Sequence, residues 1–104
     1  MTRVAPSAFP ELRRVFSGYL HEDSLTESGT PEGALQTFRA DASPDERRRF
    51  QREVKRFLAQ TAALDLDELR DLVYQLGCRW IPPSRGALVA LLREAAELHE
   101  RPLQ

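Results

Sequence analysis

The sequence predicts an all-α fold: a compact, single-domain bundle of about five helices over residues 1–104. Three observations carry this. Apolar residues recur at three- and four-residue spacing in five separate stretches, the period of a helix with one buried face. Four of those stretches open on a polar N-cap residue, in three of them with a proline or an acid in the turn that follows, the local chemistry that starts a helix. No run of four or more residues alternates strongly enough to read as a strand.

The first helix is expected from about Pro10 to Leu20, with Pro10 in the first turn, where its missing N–H has no helical partner to lose. Leu12, Val15, Phe16, Tyr19 and Leu20 share one face, which is core. Gly18 costs a helix about 1 kcal/mol against alanine, so it marks either a close helix contact at that turn or an early end. Residues 21–29 read as a link. Thr30-Pro31-Glu32 then starts a second helix, with Thr30 as N-cap, Pro31 at N1 and Glu32 complementing the dipole, while Leu35 and Phe38 face inward. Ser43 and Glu46 have capping-box spacing at the head of a third helix, whose stripe is Phe50, Val54, Phe57 and Leu58. Asp65 and Glu68 repeat that spacing before a fourth, carrying Leu66, Leu69, Leu72, Val73 and Leu76 and stopped by Gly77 as a left-handed cap. Trp80-Ile81-Pro82-Pro83 is extended, because each proline disfavours helix in the residue before it. Ser84 caps a fifth helix with Leu88, Leu91, Leu92, Ala95 and Leu98 inward.

Composition narrows the function classes. At 104 residues there is room for one core, and 41% hydrophobic with 30% charged residues is an ordinary globular balance. The net charge of −1 leaves no global field to hold nucleic acid or an anionic membrane, so electrostatic recognition has to come from local patches. No apolar run reaches the length of a signal peptide or a membrane span, and the expected location is the cytoplasm. Cys78 is the single cysteine, which excludes an intrachain disulfide and a multi-cysteine metal cage and fits a reducing compartment. No cofactor is implied.

Three clusters are candidates for function. Between His21 and Glu32 stand Glu22, Asp23, Glu27 and Glu32 with no Lys or Arg, an asymmetry in a near-neutral chain. It reads either as a solvated loop with a helix-start acid or as a surface for a basic partner. His21 and Asp23 are the residue types of a metal or acid–base site, but zinc takes three or four protein ligands and the other histidine, His99, is far along the chain. Such a pair more often bonds neighbouring backbone. On the third helix, Arg48, Arg49, Arg52, Lys55 and Arg56 lie opposite the apolar stripe, with Arg47 near its edge, and Asp45–Arg49 and Arg49–Glu53 at i,i+4 are expected to pair. With no aromatic interleaved for base stacking, this is a solvated face before it is a nucleic-acid surface. Tyr74 lies off its helix's stripe; Trp80 is expected to fold back over the core after Gly77.

The order of motifs also resembles a family. Phe9-Pro10-Glu11-Leu12, Gly18-Tyr19-Leu20, His21-Glu22-Asp23, Gly29-Thr30-Pro31-Glu32 and Leu76-Gly77-Cys78-Arg79-Trp80-Ile81-Pro82-Pro83 resemble the signature of all-helical immunity proteins of contact-dependent growth inhibition, the CdiI type. The resemblance implies a non-enzymatic protein, monomeric when free, that binds a cognate toxin domain, nuclease-type, and blocks its active site, with neither membrane nor nucleic acid as partner. The candidate toxin-binding residues are Glu22, Asp23, Ser24, Glu27, Glu32 and Tyr74. Ser24 and Arg85 are singled out as places for specificity, because residues shared by a family facing different toxins serve the fold first. The alternative is a small regulatory or RNA-associated helical domain using the Arg-rich third helix.

Overall fold

In the computed structural model, which describes residues 4–21 and 29–97, a single 3₁₀ turn (Pro6–Ala8) leads into α1 (Pro10–Tyr19), α2 (Pro31–Asp41), α3 (Pro44–Gln60), α4 (Leu66–Gln75) and α5 (Arg85–Ala95). Four of the five helix starts are made by the side chains that the sequence nominates. Thr30 accepts from the N–H of Gly33 at 3.0 Å and Ser84 from that of Ala87 at 3.1 Å. Both capping boxes close reciprocally. Ser43 accepts from Glu46 at 3.1 Å while Glu46 accepts from the N–H of Ser43 at 2.8 Å, and Asp65 and Glu68 do the same at 2.8 and 2.9 Å. The bond from Ser43, helped by Arg14, holds the Glu46 carboxyl below the usual range.

Helix α1 starts differently. Its N-cap is Phe9, which offers no side-chain acceptor. The N–H of the helix's third residue, Leu12, donates instead to Glu53 Oε1 on α3 at 2.7 Å, across 41 residues of chain. A carboxylate at the positive end of a helix is favourable for the same reason as a local cap. Glu53 is 6% exposed, and burial raises its pKa while the Leu12 N–H pulls the other way. The expected Arg49–Glu53 pair is therefore not made: Arg49 reaches Glu11 at 3.4 Å, and Asp45 pairs with Arg48 instead of Arg49. Glu53 is turned inward by a buried donor, which outbids an exposed cation.

The core is one cluster fed by every helix. Helix α1 packs on α2 and α3, α5 packs on α2 and α3, and α4 lies against the 3₁₀ turn. The expected stripes are buried on α1 through α5, with Tyr19, Leu58 and Leu66 only partly covered. Phe9, absent from those stripes, is fully buried edge-on to Phe57 with ring centroids 5.2 Å apart, and Arg56 lies over its other side. Trp80 packs against the core as expected.

Helix α4 ends in a Schellman motif: Gly77 has φ 100°, its N–H bonds to the Tyr74 carbonyl at 2.9 Å, and the Cys78 N–H reaches Val73 O at 3.0 Å. The same glycine is a contact point. A Cβ there would stand 2.9 Å from Ser17 Cβ on α1. The close approach that Gly18 was expected to mark thus falls at Ser17 and Gly77, while a Cβ on Gly18 would meet open space and α1 ends one residue later. Helix α5 stops at Ala95, short of Leu98, which with His99 lies outside the described residues. Glu97 adopts φ 59°, and its carboxylate faces Arg39 of α2 at 3.6 Å and Arg47 of α3 at 3.5 Å. A left-handed residue ends a helix, and these cations hold this one in place.

Candidate functional site

Of the six candidate residues, Glu22, Asp23, Ser24 and Glu27 lie outside the described residues. The chain on either side is well fixed. Where α1 ends, the Leu20 carbonyl accepts from the Arg79 N–H at 2.9 Å, which joins this exit to the segment after α4. Where α2 begins, Thr30 is locked as its cap. Glu32 is exposed in the first turn of α2 and lines a shallow groove against α5, with Glu94 and Arg39 as its charged neighbours. Glu94 thus adds a second acid beside Glu32, a neighbour that only the packing of α2 on α5 creates.

Tyr74 is 57% exposed near the end of α4, and the Arg79 guanidinium stacks over its ring at 4.3 Å from the centroid. Ile81, at 69%, is the other large apolar side chain that faces solvent among the described residues. Helices α2 and α4 are at most weakly in contact, so Glu32 and Tyr74 stand on different parts of the surface. Tyr74 has acidic company of its own. Asp67, Asp71 and Tyr74 occupy one face at i, i+4 and i+7, and all are exposed. The one cation of the helix, Arg70, gives its hydrogen bonds to the carbonyls of Pro82 at 2.8 Å and Pro83 at 3.4 Å and also stands 3.9 Å from Asp67. The i, i+4, i+7 spacing of this acidic face is visible in the sequence, beside the apolar stripe and cap of the same helix.

The Arg-rich face of α3 is exposed as its phase predicts, yet much of it is committed within the molecule. Arg48 pairs with Asp45, Arg49 with Glu11, and Arg56 donates to the Ala8 carbonyl. Only Arg52 and Lys55 of that face make no such contact among the described residues. Arg85, a position considered for specificity, also proves structural: it donates to the carbonyls of Thr61, at 3.1 Å, and Leu64, closing the α3–α4 turn. The Cys78 thiol is buried, donates to the Trp80 carbonyl at 3.2 Å and is pushed up to about 11 by burial. Among the described residues no three His, Cys, Asp or Glu side chains gather as a metal site, and no helix is long and apolar enough to cross a membrane.

A family model described as CdiI immunity protein matches residues 8–98. The chain belongs to the CdiI immunity protein family. A CdiI immunity protein neutralises a toxin by binding it, so the partner is a cognate toxin protein. No curated protein and no solved structure matches the chain. For a CdiI immunity protein, surfaces matter more than cavities. A groove of about 240 Å³ between α3, α4 and α5 is lined by Phe57, Leu69 and Leu88 together with Arg85 and Arg93, and Arg85 is already bonded inward.

Proposed function

We propose that this CdiI immunity protein acts in the cytoplasm, as a single domain, against a nuclease-type toxin, and that it covers the cationic substrate cleft with the acidic stretch from Glu22 to Glu32. The observation that carries the reading is the charge of that stretch, Glu22, Asp23, Glu27 and Glu32 without a cation, in a chain of net charge −1. Its support in the fold is the anchoring on both sides, at Leu20 by Arg79 and at Thr30 by the α2 cap, with Glu94 beside Glu32. Nucleases hold an anionic substrate in a basic cleft, so an acidic surface is matched to it in sign; complementary charge raises the rate of encounter and fixes the register of docking. Steric cover then blocks the reaction, and the immunity protein performs no chemistry of its own.

Binding kinetics with the cognate toxin domain at two salt concentrations test this. Glu22→Lys with Glu27→Lys should slow association and remove much of its salt dependence. Arg48→Glu with Arg52→Glu on α3 should leave binding nearly unchanged. Full affinity in the first variant and loss in the second would overturn the reading in favour of an acidic partner or RNA at α3.

A further inference from the structure

We infer that the outer face of α4 and the segment after it form a second, affinity-determining contact with the toxin, centred on Tyr74, Arg79 and Ile81 and flanked by Asp67 and Asp71. The inference rests on the immunity reading above and assigns it a separate anchor.

Nothing in the fold accounts for these apolar side chains being outside. The segment 78–83 is held along its length: Cys78 N–H to Val73 O, Arg79 N–H to Leu20 O, Cys78 Sγ to Trp80 O, and Arg70 to the carbonyls of Pro82 and Pro83. Within it Cys78, Trp80 and Pro82 turn inward and Arg79 and Ile81 turn outward, the alternation of an extended chain. Ile81 is therefore displayed by a segment with little freedom left to lose. Arg79 stacked on Tyr74 is likewise fixed before any partner arrives. Tyrosine and arginine dominate interface hot spots, and groups already ordered in the free protein lose less entropy on binding.

Charge decides the occupant. Asp67 and Asp71 flank the aromatic anchor and Asp65 and Glu68 are exposed at the same helix end, so the face stays acidic although Arg70, bonded to Pro82 and Pro83, also stands 3.9 Å from Asp67. Asp65, Asp67, Glu68 and Asp71 outnumber Arg70 and Arg79 here, so a second copy of the chain docking across a two-fold axis would bring two net-acidic faces together. A basic protein surface with an apolar recess is complementary, and it is the same sign of partner that the Glu22 to Glu32 stretch fits.

The test compares Tyr74→Ala with Ile81→Ala, alone and together, in binding to the cognate toxin domain. The double variant should dissociate about 100-fold faster with little change in association, the loss a hot-spot pair gives, while Asp67→Lys with Asp71→Lys slows association. Unchanged melting temperatures confirm folding, and the single Ile81→Ala variant, outside all packing, gives the same reading if Tyr74→Ala unfolds. Dissociation within threefold of the unmodified protein, alongside slowed association in Glu22→Lys with Glu27→Lys, overturns this inference and leaves the proposed function standing. No binding by the unmodified protein overturns both. A homodimer that the double variant disperses without affecting toxin binding would assign the patch to a second copy and overturn the inference.

Discussion

Replacing Gly77 by alanine probes two separate demands made at one atom. The first is conformational: at φ 100° the residue sits where a Cβ meets its own backbone, at a cost of about 1–2 kcal/mol. The second is spatial, because the new Cβ would lie 2.9 Å from Ser17 Cβ and 3.1 Å from Ser17 Cα. Carbon atoms in contact prefer about 3.5–4.0 Å. Either α1 or the α4 cap must move by several tenths of an ångström, and overpacking of this kind costs about 1–3 kcal/mol. Gly77→Ala should therefore destabilise by about 2–5 kcal/mol, a large part of the stability of a small domain. Urea unfolding followed by circular dichroism measures it, and a second background separates the two demands. In Ser17→Gly the nearest opposing atom is gone while Cα at 3.1 Å remains, so Gly77→Ala should there cost less by a part of those roughly 1–3 kcal/mol. Gly18→Ala is the matched control: it introduces the same methyl beside Ser17 into open space and should stabilise by up to about 1 kcal/mol. An equal cost of Gly77→Ala in both backgrounds would refute the contact argument and leave only the backbone one. A cost below about 0.5 kcal/mol would refute both.

Glu53→Ala leaves the Leu12 N–H without its carboxylate and should cost about 1.5–3 kcal/mol, whereas Glu53→Gln keeps an acceptor and should cost less; chemical denaturation ranks the two. Because burial raises the Glu53 pKa in the folded state, that state holds the proton more tightly than the unfolded chain does. The wild type should thus gain on Glu53→Gln below about pH 4.5 and lose that gain as pH rises through the folded pKa, which denaturation at several pH values will show or exclude. Cys78, with its thiol pushed up to about 11, should react with an alkylating reagent at pH 8 far more slowly in the folded protein than in urea. Cys78→Ala should cost no more than a few kcal/mol, and a melting temperature of the monomer that depends on reductant would contradict this account.

The helix starts were legible because their chemistry is local: an N-cap and its donor lie three residues apart, and Thr30, Ser43, Asp65 and Ser84 can each be recognised without knowing what surrounds them. The same holds for Gly77. What escaped was every role assigned across the chain. Glu53 looks like an i+4 partner for Arg49 until α1 presents it with a buried N–H, and Arg85 looks like a free surface cation until the α3–α4 turn brings two carbonyls to it. Glu97 carries no sequence mark of a helix end, since its left-handed backbone is held by arginines 58 and 50 residues earlier in the chain. Tyr74 could be placed off the stripe but not in or out of the core, because the answer depends on where Arg79 returns. The exposure of the basic run on α3 follows from its helical phase, whereas the pairing of Arg49 does not, since Glu11 comes from another helix.

The borrowed cap of α1 has a consequence for the order in which the molecule can assemble. Helices α2 to α5 carry their own starting signals and can each be nucleated by a few neighbouring residues. The first turn of α1 has no such autonomy: its acceptor, Glu53, and the ring that covers its cap residue, Phe57, both belong to α3. During synthesis the first of these five helices to emerge is thus the one that must wait. Its first turn acquires its cap only after some forty further residues have followed it and α3 has come back alongside.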